Sequence, residues 1–138
     1  MKRFIGDIVL RKVNNKEFSY IVDEAVGYEN EKYLISVKSG WITDGASVPR
    51  VFQNIFSPYG EQTIFGAIIH DALYMAEALP RKECDLIFLE ILKLKGVGWL
   101  KRSVMYSAVR LGGGFVWRKH KKEEVKKAKK FVKVEAKK

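Results

Sequence analysis

The chain has 138 residues, the length of one ordinary domain, and at 47% hydrophobic, with eight Phe, six Tyr and three Trp, it can bury a core. Its single cysteine, Cys84, excludes an intramolecular disulfide framework and a multi-cysteine metal site, and two histidines exclude a His-rich metal cluster. The formal net charge of +10 suggests nucleic acid or an acidic membrane as partner, but +8 of it falls from Arg118 onward, leaving residues 1–117 nearly neutral at +2. The apolar run after Met1-Lys2-Arg3 breaks at Gly6-Asp7, short of a signal peptide, and no stretch approaches the ~20 apolar residues of a transmembrane segment. A reducing cytoplasm is the default compartment.

The first third reads as strands. Phe4 to Arg11 carries Ile5, Ile8, Val9 and Leu10, and Asn14-Asn15-Lys16 follows as a turn. Phe18 to Val26 alternates at Phe18, Tyr20 and Val22, Gly27 to Lys32 is a polar turn, and Tyr33 to Val37 and then Trp41-Ile42-Thr43 continue the series. Short strands joined by tight turns predict an antiparallel meander. Beyond Thr43 the pattern turns helical: a short helix at Val51 to Phe56, a long one over about 61–77, a break at Leu79-Pro80, a second helix to about Lys95, and a third from Trp99 to Leu111. Gly112-Gly113-Gly114 then marks either a hinge or a close approach of backbones. Strands first and helices after is the order of an α+β fold. The expected organisation is a single domain over 1–117 and a basic tail over 118–138, with Val125, Ala128, Phe131 and Val132 spaced for a weakly amphipathic helix but the tail largely solvated.

Chemistry concentrates in three places. In the first long helix His70 and Tyr74 stack one turn apart with Asp71 beside them, among Ile64, Phe65, Ile68, Ile69, Leu73 and Met75. A helix so apolar is buried on most sides, so these polar groups lie inside or in a cleft. In the second helix Asp85 shares a face with Phe88, Leu89 and Leu92, apart from the charges Lys82, Glu83 and Glu90, and antiparallel packing across Leu79-Pro80 would set it opposite His70. A histidine oriented by carboxylates suits a general base, half of a metal site, or a polar lock between helices. Third, Thr43-Asp44-Gly45-Ala46-Ser47, followed by Arg50, offers oxygen ligands and free amides, to cap a helix, hold a hard cation or bind an anion. Arg102, Tyr106 and Arg110 form a stripe on the third helix, read as a solvated edge or a phosphate contact, and Cys84 as a small residue packed beside Asp85.

Taken together, Thr43-Asp44-Gly45-Ala46-Ser47-Val48-Pro49-Arg50, His70-Asp71-Ala72-Leu73-Tyr74, Asp85-Leu86-Ile87-Phe88 and Met105-Tyr106-Ser107-Ala108-Val109-Arg110 resemble the phage and prophage family of domain of unknown function 1353, over about residues 40–112. The resemblance implies a tailed-phage or prophage product, acting in the bacterial host cytoplasm or the virion, with other phage proteins as partners. His-Asp-x-x-Tyr followed by a helix bearing Asp and Phe is also similar to the core of phospholipase A(2) enzymes. That similarity implies His70 as the base activating water, Asp71 as a ligand of a divalent cation such as calcium, and Tyr74 and Asp85 holding the histidine, while Asp44 in the Thr43–Ser47 loop is a separate candidate cation ligand. The glycine-rich calcium loop of those enzymes is missing, with Gly60 alone in that region. The expected function is thus a small hydrolase centred on His70, or else a non-enzymatic phage accessory or virion protein whose motifs form a polar core. In either case the Lys-rich tail would dock on nucleic acid or anionic lipid.

Overall fold

The structure, a computed structural model, describes residues 2–12, 19–44 and 62–137. The short helix expected at Val51 to Phe56 lies outside the described residues. Seven strands are present among them: β1 (Arg3–Ile5), β2 (Leu10–Lys12), β3 (Ser19–Val22), β4 (Val26–Glu29), β5 (Tyr33–Val37), β6 (Ile42–Asp44) and β7 (Val132–Ala136). The helices are α1 (Ile64–Ala76), α2 (Arg81–Leu94), α3 (Trp99–Arg118) and the short α4 (Lys122–Ala128). The fold is α+β, with an antiparallel β region followed by helices. Its strands sort into two sheets, one in the order β1-β4-β5-β7 and one in the order β2-β3-β6, with every pairing antiparallel.

β4 lies inside the larger sheet and shows why the turn is tighter than the sequence predicts. Val26 and Tyr28 are buried, and Gly27 passes so close to β5 that a Cβ would stand 2.7 Å from the Ile35 carbonyl oxygen. The turn is confined to Asn30, Glu31 and Lys32, where the Asn30 side-chain oxygen accepts the backbone N–H groups of Lys32 (2.9 Å) and Tyr33 (2.8 Å). Asn30 and Tyr28 also donate to Glu90 on α2, so Glu90, which lies apart from the Asp85 face, pins that helix to the sheet.

The core forms where α1 meets the strands. Val22, Val26, Tyr28, Ile35, Val37 and Trp41 pack with Phe65, Ile68, Ile69, Ala72 and Leu73, each large side chain contributing about 1.5–3 kcal/mol on burial. α1 ends at Glu77, whose left-handed φ of 47° lets its N–H and that of Ala78 close onto the carbonyls of Tyr74 and Leu73. The chain reverses through Leu79-Pro80, and α2 returns against α1 at Gly66, where a Cβ would crowd Phe88, Ile91 and Leu92. Gly96, at φ 83°, ends α2, and α3 lies against it.

Two expectations are corrected. The third helix does not stop at Leu111: it runs through Gly112-Gly113-Gly114 to Arg118, because tertiary packing outweighs the low helix propensity of glycine, roughly 1 kcal/mol per residue against alanine. The tail is not a solvated appendage either. α4 packs on α1, and β7 pairs with β5 from Val37↔Val132 to Tyr33↔Ala136. Ala128 and Val132 enter the core, and the alternation of Val132, Lys133, Val134 and Glu135 is that of a strand.

Candidate functional site

α1 has almost no face open to water. Phe65, Gly66, Ile68, Ile69, His70, Asp71, Ala72, Leu73, Tyr74 and Ala76 are all buried, so its polar side chains need partners within the protein. His70 and Tyr74, one turn apart, meet a single group on α2, the Asp85 carboxylate. Asp85 has 0% exposure. Its Oδ1 lies 2.7 Å from His70 Nε2 and accepts from Tyr74 Oη at 2.6 Å. Its Oδ2 accepts from Arg110 Nη1 of α3 at 2.6 Å, with Arg81 Nη1 at 3.6 Å. Asp85 thus ties three helices together.

The balance of effects on Asp85 fixes the chemistry of His70. Burial alone would raise the Asp85 pKa, but hydrogen bonds from His70, Tyr74 and Arg110 outweigh it and hold the carboxyl below its ordinary value. An ionised carboxylate only accepts, so the proton between the two residues sits on His70 Nε2, and in the neutral ring Nδ1 is the basic nitrogen. Tyr74 is held in the phenol form, its pKa raised first by burial and then by its bond to Asp85. Cys84, buried beside Asp85 and donating to the Leu79 carbonyl at 3.6 Å, is pushed up to about 12 by burial and by the neighbouring carboxylate. It is a packed thiol, not a nucleophile.

Aromatic rings hold the imidazole. Tyr74 and Phe88 stack against it with centroids at 4.2 and 4.8 Å, and Trp117 meets Tyr74 edge-on at 5.1 Å. Gly113 explains how α3 comes so near: a Cβ there would stand 2.5 Å from Tyr74 Oη and 3.1 Å from Arg81 Nη1. Of the two readings of the triple glycine, the close approach holds. Arg81 donates to Tyr74 Oη (3.3 Å) and to the carbonyls of Val109 (3.2 Å) and Arg110 (3.3 Å), fixing α3 to the start of α2.

The structure therefore brings His70, Tyr74, Asp85 and Arg110 together. Arg110 is not part of a solvated edge: it turns to Asp85 on α2, while Arg102 donates to the Val97 carbonyl in the connection before α3 at 3.0 Å. Asp71 is buried on α1 and engaged in an interaction of its own. Thr43 and Asp44 are described as backbone within β6, opposite Tyr20 and Ser19, while Ser47 and Arg50 lie outside the described residues. Among the described residues no three His, Cys, Asp or Glu side chains stand together to hold a metal ion. Sequence reasoning missed Arg81 and Trp117. The signal for Arg81 was its i, i+4 spacing to Asp85.

His70 lines neither of two clefts that lie among the described residues. One of about 170 Å³ lies among Trp41, Met75 and Phe131, and one of about 310 Å³ among Glu77, His120, Lys122, Lys126 and Lys129.

A family model described as protein of unknown function (DUF1353) matches residues 20–109, well over half of the chain and all of the residues around Asp85 except Arg110, Gly113 and Trp117. No curated protein and no solved structure matches the chain.

Proposed function

The chain belongs to the DUF1353 family of proteins of unknown function, and we propose that in it His70 is the general base of a small hydrolase. One observation carries this reading: His70 Nε2 lies 2.7 Å from a carboxylate with no exposure to solvent. That bond directs the basic lone pair to Nδ1 and balances the charge of the imidazolium formed when Nδ1 takes a proton. In the proposed reaction Nδ1 removes a proton from water as the water oxygen attacks the acyl or phosphoryl centre of an ester. The proton then passes to the departing alkoxide, so that ester and water yield acid and alcohol. Arg81 and Arg110 together outweigh the single charge of Asp85, and the excess positive charge favours the negative charge that develops during attack. The phage setting implied by the motifs belongs to the same proposal and points to a phospholipid or cell-envelope ester as substrate.

The test is turnover by the purified chain on phospholipid vesicles, cell-envelope material and simple aryl esters, with and without calcium. His70→Ala is expected to lower turnover by about 10²–10⁴-fold. No turnover across the panel, or full activity in His70→Ala, would overturn the reading.

A second reading, a non-enzymatic phage protein with a polar core, is favoured by a different observation. Both Asp85 oxygens are fully occupied by groups from α1 and α3, as a structural lock requires. It predicts an inert chain in which replacing Asp85 costs stability alone.

A further inference from the structure

α3 packs on α2 through one face, where Met105 and Gly113 are buried, and leaves the opposite face to solvent. That outer face is apolar. Leu100 is 63% exposed, Val104 38%, Leu111 88% and Phe115 58%, and they follow one another along a single stripe with Ser107 and Ala108 between. Trp99 stands 69% exposed at the first turn. Apolar side chains scattered singly over a surface need no explanation, but four large ones aligned along one helix do.

The charge of the helix selects what covers it. α3 carries Lys101, Arg102, Arg110 and Arg118 and not one acidic residue, and Lys119 follows, its Nζ 4.1 Å from the centre of the Phe115 ring. A second copy of the chain laid along this face would set cations against cations with no carboxylate to pair them. A surface that is apolar within and negative at its boundary matches both properties. We propose that α3 lies on an anionic lipid bilayer. Leu100, Val104, Leu111 and Phe115 enter the acyl boundary by roughly 5–10 Å, with Trp99 at the headgroup level and Lys101, Arg118 and Lys119 on the lipid phosphates. No helix of the described residues is long and apolar enough to cross a membrane, so α3 rests in the interface. The proposal is independent of the hydrolytic reading and of the Lys-rich face of α4.

The experiment is flotation of the full chain with phosphatidylcholine vesicles, with and without a third of phosphatidylglycerol. Binding is expected on the anionic vesicles, weakening with salt, together with a blue shift of tryptophan emission that Trp99→Phe removes. Leu111→Glu with Phe115→Glu, both at exposed positions and checked for an unchanged melt, should reduce binding by about tenfold or more. Three results would overturn the proposal. The first is no binding to anionic vesicles at low salt. The second is binding unchanged by the double variant but abolished by replacing Lys126, Lys127, Lys129 and Lys130 with Gln, which would assign it to α4. The third is a dimer in sedimentation that the double variant dissociates, which would give the stripe to a second copy.

Discussion

Asp85 decides the behaviour of every residue around it. It is ionised, unexposed and shared by His70, Tyr74 and Arg110. Asp85→Asn keeps the shape but removes the charge that His70, Arg81 and Arg110 face, and it should cost about 3–5 kcal/mol, read as a lower thermal midpoint. The sign of the pH dependence follows from the direction of the shift. The folded-state pKa lies below the unfolded value of about 3.9, so the contribution is complete above that value and is lost as pH falls through the folded-state pKa. Acid unfolding of the wild type should include this step, and Asp85→Asn should lack it. Cys84 gives an independent check on the burial of this corner. With its thiol pushed up to about 12, it should resist alkylation at pH 8 in the native state and react readily once the chain is unfolded.

At the scale of elements, the glycines of α3 separate two opposite effects in adjacent positions. A Cβ at Gly113 would collide with Tyr74 Oη at 2.5 Å, so Gly113→Ala should destabilise by about 1–3 kcal/mol as α3 is forced outward. At Gly114 the nearest side-chain atoms are 3.6–3.7 Å away, an ordinary contact, and Gly114→Ala should raise stability by about 0.5–1 kcal/mol through helix propensity alone. Paired thermal melts of the two variants read the difference directly. This part of the site was half legible in the sequence. An acid inside the apolar face of Phe88 and Leu92, and a histidine one turn from a tyrosine on an apolar helix, marked Asp85, His70 and Tyr74 in advance. Arg110 was not legible as a partner, because a long cation on a helix edge reads the same whether it turns to solvent or to a buried carboxylate. Neither was the extent of α3, since three glycines in succession signal a stop unless the neighbour they admit is known.

At the scale of the molecule, the strand positions were largely readable from alternation, but their sorting into two sheets was not, because pairings such as β1 with β4 join residues distant in sequence. The last strand was the furthest from view. Five residues with two valines in a lysine-rich run become a strand because β5 presents an open edge to them. Deleting residues 132–138 should therefore lower the melting temperature and expose the β5 edge to self-association, seen as higher-order species in size exclusion. The function of the tail lysines is better tested by Lys→Gln changes that leave β7 in place. The three helices, the sheet beneath them and the close approach at Gly113 all converge on one ionised carboxylate that determines which nitrogen of His70 carries the proton. Long-range ¹H–¹⁵N correlation spectra of His70 test this most directly: above the imidazole titration, the account predicts a proton on Nε2 and a bare Nδ1, changed in Asp85→Asn. A neutral His70 protonated on Nδ1 in the wild type would contradict it.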